Sequence, residues 1–230
     1  MRQRLRRKGL ALGLCILVPA LAHAEGPPPI GFAITGGLSG LGADVGIGLS
    51  DHFALRGTVA GYDLNRAGSY GTTTSWRASL KLLQGGLLLD YSPFKGSFHL
   101  SAGVVDDGNK LTMSGQPSGG TFTFNGTGYS SSDISSASAS VAWSKAVPYL
   151  GLGWGNLAKA HGFHLTSDIG VLFSGRPKAD VNANCSPQGE VEGICGQLST
   201  DLAAEQSKLQ HDADRLSFWP ILRVGVGYTF

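Results

Sequence analysis

Arg223-Val224-Gly225-Val226-Gly227-Tyr228-Thr229-Phe230 is the stretch that decides the fold. Reading back from Phe230, the residues Tyr228, Val226, Val224 and Leu222 share one face of an extended strand. Thr229, Gly227, Gly225 and Arg223 share the other, because side chains alternate along a strand. One face is apolar and aromatic, the other small or charged. The same division recurs upstream. From Leu41 to Leu49 every odd position is apolar and the even ones are Gly or Asp. Phe53, Leu55 and Val59 oppose Ala54, Arg56 and Thr58. Phe98, Leu100, Ala102 and Val104 oppose His99, Ser101 and Gly103. Leu150, Leu152 and Trp154 alternate with glycines, and Phe163, Leu165, Ile169, Val171 and Phe173 oppose His164, Thr166, Asp168 and Gly170.

One segment breaks parity. Trp76, Ala78, Leu80 and Leu82 set against Arg77, Ser79 and Lys81 give an outward even row, yet Leu87, Leu89 and Tyr91 resume on odd numbers. A β-bulge near Gln84-Gly85-Gly86 is the expected cause. With a short first strand at about 30–35, the pattern predicts eight strands, an even number as in closed single-chain bacterial barrels. Segments of about 10 residues suit strands that cross hydrocarbon at a tilt. Joins near 51, 94 and 158 are short and those near 70, 127 and 195 long, the asymmetry of periplasmic turns against extracellular loops. Residues 116–138, rich in Gly, Ser and Thr, read as a long flexible loop.

The other end of the chain supplies the address. Arg2, Arg4, Arg6, Arg7 and Lys8 precede an apolar run from Leu10 to Leu21 and then Ala22-His23-Ala24, which together predict a secretory signal cleaved after Ala24. The run is too short to span a bilayer. Cys15 lies inside it behind Leu14, which is too large for a lipid-attachment site. Residues 25–230 are then a single barrel domain. The whole chain carries +2 from 18 basic and 16 acidic residues. Losing five basic residues with the signal leaves an acidic mature chain, so the charge gives no support for a nucleic-acid partner. Without a long apolar run in residues 25–230, a membrane location requires a closed barrel, since lipid leaves backbone groups no other partners.

A secreted, lipocalin-type soluble barrel is the rival reading, with the apolar rows turned inward. Against it stand aromatics near the strand ends (Trp76, Tyr91, Phe98, Trp154, Phe163, Phe218, Trp219, Tyr228, Phe230) and an opposite face too thin in charge for solvent. Leu198, Leu202, Leu209, Ala213 and Leu216 recur at helical spacing and predict one extracellular helix over about 198–216. Ser199 or Thr200 is its expected cap. It either lids the barrel mouth or packs a leucine row against the rim.

Alternation assigns Asp44, Arg56, Arg77, Lys81, Asp90, Asp168 and Arg223 to the lumen. An eight-stranded barrel has an interior just wide enough for side chains, so charges of both signs are expected to pair into a plug. The alternative is a narrow conduit. Cys185 and Cys195, in an exported chain, predict a local disulfide rather than a metal site. No catalytic, metal or cofactor-binding residue is assigned. Some small outer-membrane barrels modify lipid A through a His and a Ser near the membrane surface, but the mature histidines fall mostly in or near the predicted periplasmic turns, and none is read as part of a His-x-Ser motif of that kind.

The signal, the Gly-rich amphipathic strands and the Tyr228-Thr229-Phe230 ending resemble the small eight-stranded outer-membrane proteins of the OmpA/OmpX/OmpW kind. Residues 82–90 (LLQGGLLLD) and 148–155 (PYLGLGWG) resemble proteobacterial outer-membrane proteins without an assigned activity. The resemblance implies an all-β, up-and-down antiparallel transmembrane barrel. Tyr228 and Phe230 would serve as the assembly signal, read by periplasmic chaperones and the barrel-assembly machinery, with lipopolysaccharide as a neighbour. It transfers no functional residue. The expected role is structural or surface-interacting, with a pore for small solutes or hydrophobic molecules as the alternative.

Overall fold

The computed structural model describes residues 27–70, 74–117, 120–143, 145–158 and 161–230. The predicted signal and its cleavage site lie outside the described residues. Thirteen strands and two helices follow in order: β1 (Ile30–Gly37), β2 (Gly40–Gly48), β3 (Phe53–Tyr70), β4 (Thr74–Tyr91), β5 (Phe98–Asp107), β6 (Lys110–Pro117), β7 (Thr121–Phe124), β8 (Thr127–Ser130), β9 (Ile134–Ala142), β10 (Val147–Trp154), β11 (Gly162–Leu172), β12 (Lys178–Cys185), α1 (Pro187–Val191), α2 (Cys195–Ala213) and β13 (Trp219–Thr229).

Eleven strands form one sheet, where the sequence suggested eight. The pairings explain the difference. β1, β2, β3, β4, β5, β10, β11 and β13 make a closed antiparallel cycle, β13 returning to β1. The other three are upward continuations of ring strands. Gln84↔Asp107 and Lys81↔Lys110 keep a single register, so β5 and β6 are one strand against β4, interrupted at Gly108-Asn109. Val147↔Val105 and Lys110↔Ala142 likewise make β9 and β10 one strand. β12 continues β11 with its pairing displaced by one residue. Five of the eight ring positions (β3 and β4, then β6, β9 and β12 above β5, β10 and β11) therefore rise beyond the ring as a one-sided wall, away from the chain termini. The span read as a flexible loop is largely this wall and a β7–β8 hairpin turning at Asn125-Gly126.

No bulge interrupts β4, which pairs with β3 in one register from Phe53↔Tyr91 to Tyr70↔Thr74. The apparent slip is a change of surroundings. Odd residues Leu83, Leu87, Leu89 and Tyr91 face outward, as do Lys81 and Arg77 above them. Leu82, Gln84, Leu88 and Asp90 are buried inside. Leu82 looked like the end of an outward row only because the interior is itself apolar at that height. Trp76 accordingly lies on the inner face, its ring against Gly68, where a Cβ would meet it at 2.9 Å.

Around the ring the outward rows stay apolar and exposed, from Phe32 and Ile34 in β1 to Val224, Val226 and Tyr228 in β13. At the termini end aromatic rings cluster: Phe163 with Tyr228 at 4.9 Å, Tyr228 with Phe230 at 5.0 Å, Phe53 with Tyr91 at 5.1 Å and Phe98 with Trp154 at 5.4 Å between centroids. Apolar rows facing out and polar residues facing in are the order that hydrocarbon imposes on a barrel.

Helix α2 spans Cys195–Ala213, shifted by three residues from the predicted start. Its N-cap is Ile194, which makes no side-chain cap bond. Ser199 and Thr200, proposed as caps, sit within the helix and donate back to the Gly196 carbonyl. Leu198 and Ala213 are buried, Leu202 and Leu209 half-buried, while Leu216 lies past the helix and is exposed. The helix does not lie across the mouth. It runs along β12 on the concave side of the wall, its Cys195 end far out and its Gln210 bonded to Ala179 and the Pro177 carbonyl at the rim. Cys185 and Cys195 are disulfide-bonded, tying the end of β12 to the start of α2.

Candidate functional site

The lumen is filled in three layers. At the termini end the turn after β10 folds into the ring. Leu157 and Ala158 are buried, Asn156 donates to Ser92 (2.8 Å), and Thr229 donates to the Leu157 carbonyl (2.9 Å). This close approach explains the inward glycines at that level: a Cβ on Gly31 would meet the Leu157 carbonyl oxygen.

Above it lies a charged layer centred on Arg56 of β3. Its two terminal nitrogens each lie 2.9 Å from a carboxylate oxygen of Asp168 (β11), and Nε lies 2.9 Å from Asp90 (β4). Asp44 (β2) is at 3.4 Å, and Ser101 (β5) accepts at 3.0 Å. Arg223 from β13 bridges Asp44 (3.4 Å) and Asp168 (3.5 Å) and donates to Thr58 at 2.5 Å. His99 Nε2 stands 3.3 Å from Asp168, its Nδ1 3.3 Å from the Ser97 carbonyl. Six ring strands thus contribute to one ionic cluster, every member of which is buried apart from the half-buried Thr58. In a low-dielectric interior such charges persist only when each is paired, and here the guanidinium fork of Arg56 meets Asp168 end-on through both terminal nitrogens and Asp90 side-on through Nε and one of them.

The third layer is apolar: Leu88, Val105, Val147, Tyr149, Leu172 and Ile221, with Trp219 packed on top. Between it and the charges lies a void of about 20 Å³, lined in part by Thr58, Gln84, Tyr149 and Arg223, which is room for about one water molecule. At the rim Ser174 donates to Asp107 (2.6 Å), and Asn109 accepts from the Leu83 amide (3.1 Å), closing the fork where β5 gives way to β6.

Five of the seven charges assigned to the lumen therefore meet there: Asp44, Arg56, Asp90, Asp168 and Arg223. Arg77 and Lys81 do not. Both are exposed on the outer face of the wall, because β4 keeps its parity through the supposed bulge. Sequence reasoning missed His99 and Ser101, although His99-Leu100-Ser101 is a His-x-Ser on the inward face of β5. Ser101 is engaged by Asp90 (2.6 Å) and Arg56, and His99 by Asp168, so both act as members of the ionic cluster. Among the described residues no cluster of His, Cys, Asp and Glu is arranged to hold a metal ion.

A second polar centre joins the helix to the β7–β8 hairpin. Asp201 of α2 accepts from the Tyr129 hydroxyl (2.7 Å), Asn125 (3.1 Å) and Gln197 (3.1 Å). These bonds, Tyr129's first, lower its pKa to about 2, while burial and the same carboxylate push the Tyr129 hydroxyl up to about 12. Around it Phe124, Ile134, Val181 and Leu198 form an apolar core.

No family model matches the chain, and no curated protein does. Solved structures do. The crystal structure of CarO2 from Acinetobacter baumannii is 16% identical, with a TM-score of 0.56 over 89% of this chain and 100% of that one. CarO from the same organism is 15% identical, with a TM-score of 0.55 over 88% and 98%. A major outer membrane protein from Thermus thermophilus is 12% identical, with a TM-score of 0.39 over 88% and 99%. At such identities the likeness to CarO is one of fold. Together with the outward apolar rows and aromatic girdle, it defines the class of fold: a β-barrel with the outer surface of a membrane-spanning one.

Proposed function

We propose that this chain is a non-conducting outer-membrane barrel of eight membrane-crossing strands that presents its one-sided wall, helix and hairpin at the cell surface in a structural or surface-interaction role. Sequence-level likeness to the OmpA/OmpX/OmpW group and the signal at residues 1–24 support its export. The asymmetry of the two ends supports the orientation, with short turns beside the termini in the periplasm and the wall outside. One observation carries the reading: Arg56 joins Asp44, Asp90 and Asp168 from three strands in mid-lumen, between the Leu157 turn and the Leu88–Ile221 layer. Such a stack leaves no continuous aqueous path. The buried Ser101 and His99 supply no free nucleophile, which favours a non-enzymatic role.

Planar-bilayer recording of the refolded protein tests this. Silence is the expected result, and stable stepwise channels would establish the pore instead. A second test fixes orientation. With Cys185 and Cys195 replaced, single cysteines at Ser131 and Lys208 should react with a membrane-impermeant thiol reagent on intact cells, while one at Lys95 should not. Labelling of Lys95 alone would invert the barrel.

A further inference from the structure

The outward face of the wall changes character along one line. On β4 the row Tyr91, Leu89, Leu87, Leu83 gives way to Lys81. On β3 Val59 gives way to Asp63, and on the strand built from β5 and β6 Val104 gives way to Asp106 and then Lys110. At this line the cross-strand pairing runs Asp63↔Lys81↔Lys110↔Ala142↔Lys178. Three lysines thus stand in one transverse row, all exposed. Lys81 and Lys110 are direct neighbours. Lys178 lies two strands from Lys110, or about 10 Å at the usual strand spacing.

Like charges directly opposite one another across strands are destabilising unless something neutralises them. Asp63, Asp106 and Asp180 are the nearby outward carboxylates, and none comes within ion-pair distance of these lysines; the exposed ion pairs of the described residues lie elsewhere, at Lys95–Asp51, Arg176–Asp214 and Lys208–Glu205. The row also sits at the height where an apolar barrel surface ends. Above it the next paired row out runs Asn65↔Ser79↔Thr112↔Ser140↔Asp180, hydroxylic at its centre with the one carboxylate at its β12 end.

From these positions we infer that Lys81, Lys110 and Lys178 form a docking site for the phosphate groups of the phosphorylated glycolipid of the outer leaflet. The inference rests on the outer-membrane reading and adds a fixed place and orientation on the barrel. Acyl chains lie along the Leu83–Leu89 side of the wall, phosphates meet the lysines, and sugar hydroxyls face the serine and threonine row. Ammonium groups are strong donors to phosphate, and each basic residue held at an anionic lipid surface adds measurably to attraction.

Native mass spectrometry and competitive binding in detergent test it, using the full barrel and bis-phosphorylated lipid A as the probe. Retention of lipid A by the parent barrel is expected, with dephosphorylated lipid A held more weakly and inorganic phosphate failing to compete at matched concentration. Affinity should fall roughly fivefold for each lysine changed among Lys81→Gln, Lys110→Gln and Lys178→Gln. Lys95→Gln, at the opposite end, should bind as the parent does. Equal retention of lipid A by the triple variant and the parent would overturn the site, as would indifference to the lipid's phosphates. Failure of the outer-membrane reading has a separate signature: the parent protein would not insert into vesicles or show a heat-modifiable band.

Discussion

Arg56 and Asp168 lie 112 residues apart in the chain and meet end-on in the lumen, each terminal nitrogen of the arginine 2.9 Å from one carboxylate oxygen. The contact ties β3 to β11 across the ring, which no hydrogen-bonded pairing does. Removing Arg56 alone leaves Asp44, Asp90 and Asp168 with only Arg223 between them. Arg56→Met should therefore destabilise the refolded barrel by about 3–5 kcal/mol, read as the urea midpoint in lipid vesicles. The double change Arg56→Met with Asp168→Leu should recover part of that loss. A single variant as stable as the parent would show that the cluster contributes little to holding the ring.

The helix-to-hairpin junction should respond to acid. Asp201 is held ionised by Tyr129, Asn125 and Gln197, so its folded pKa, about 2, lies below its ordinary value of 3.8. A depressed carboxylate pKa stabilises the folded state above the ordinary value and loses that contribution as pH falls through the folded one. Protection of α2 amides from hydrogen exchange should accordingly hold above about pH 4 and decline towards pH 2. Asp201→Asn should show lower protection at neutral pH and no further decline across that window.

Reduction should loosen only the outer part of the molecule. The Cys185–Cys195 bridge closes a short loop around α1 and is remote from the ring pairings. Loss of such a bridge costs about 2–3 kcal/mol locally. Reduced protein should keep its heat-modifiable barrel while proteolysis near residues 186–194 increases. Collapse of the barrel on reduction would contradict this placement.

Assembly should depend on the last residue. Phe230 donates its backbone amide to the Ile30 carbonyl (3.1 Å) and packs its ring on Tyr228 and Phe32. Deleting it should lower the outer-membrane yield in cells, with periplasmic degradation products, while in-vitro refolding into vesicles changes much less. Equal yields in cells would remove its role as an assembly signal.

The ring was legible from alternation alone wherever the two faces differ in polarity, as in Leu41–Leu49 or Leu222–Phe230. The signal failed where surroundings change along a strand. Above Leu83 the outward face of β4 meets a polar environment and the inward face meets an apolar core. The same parity therefore inverts its hydropathy, and Arg77 and Lys81 were assigned to the wrong side. Likewise Ser136, Ser138 and Ser140 on β9 alternate with Ala137, Ala139 and Val141, a contrast too small to read as a strand without its neighbours. Asp44, Arg56, Asp90, Asp168 and Arg223 were readable because their strands have unambiguous faces. That they converge on one cluster depends on strand stagger, which alternation does not encode. The ends of α2 were misplaced because Ser199 and Thr200 look like caps, whereas the chain enters the helix through Ile194, directly after the α1 turn.

Because β5 with β6 and β9 with β10 each keep one register across the rim, the height of the wall is a quantity separate from the width of the barrel. Residues can be added to or withdrawn from opposed arms in matched pairs, two at a time, without turning any side chain below the rim to the other face. The lower storey is bound to a fixed thickness of hydrocarbon, while the upper one is free to lengthen, shorten or exchange its tip at Asn125-Gly126. Paired insertions and deletions can thus alter the tip of the wall while leaving the Arg56 cluster untouched.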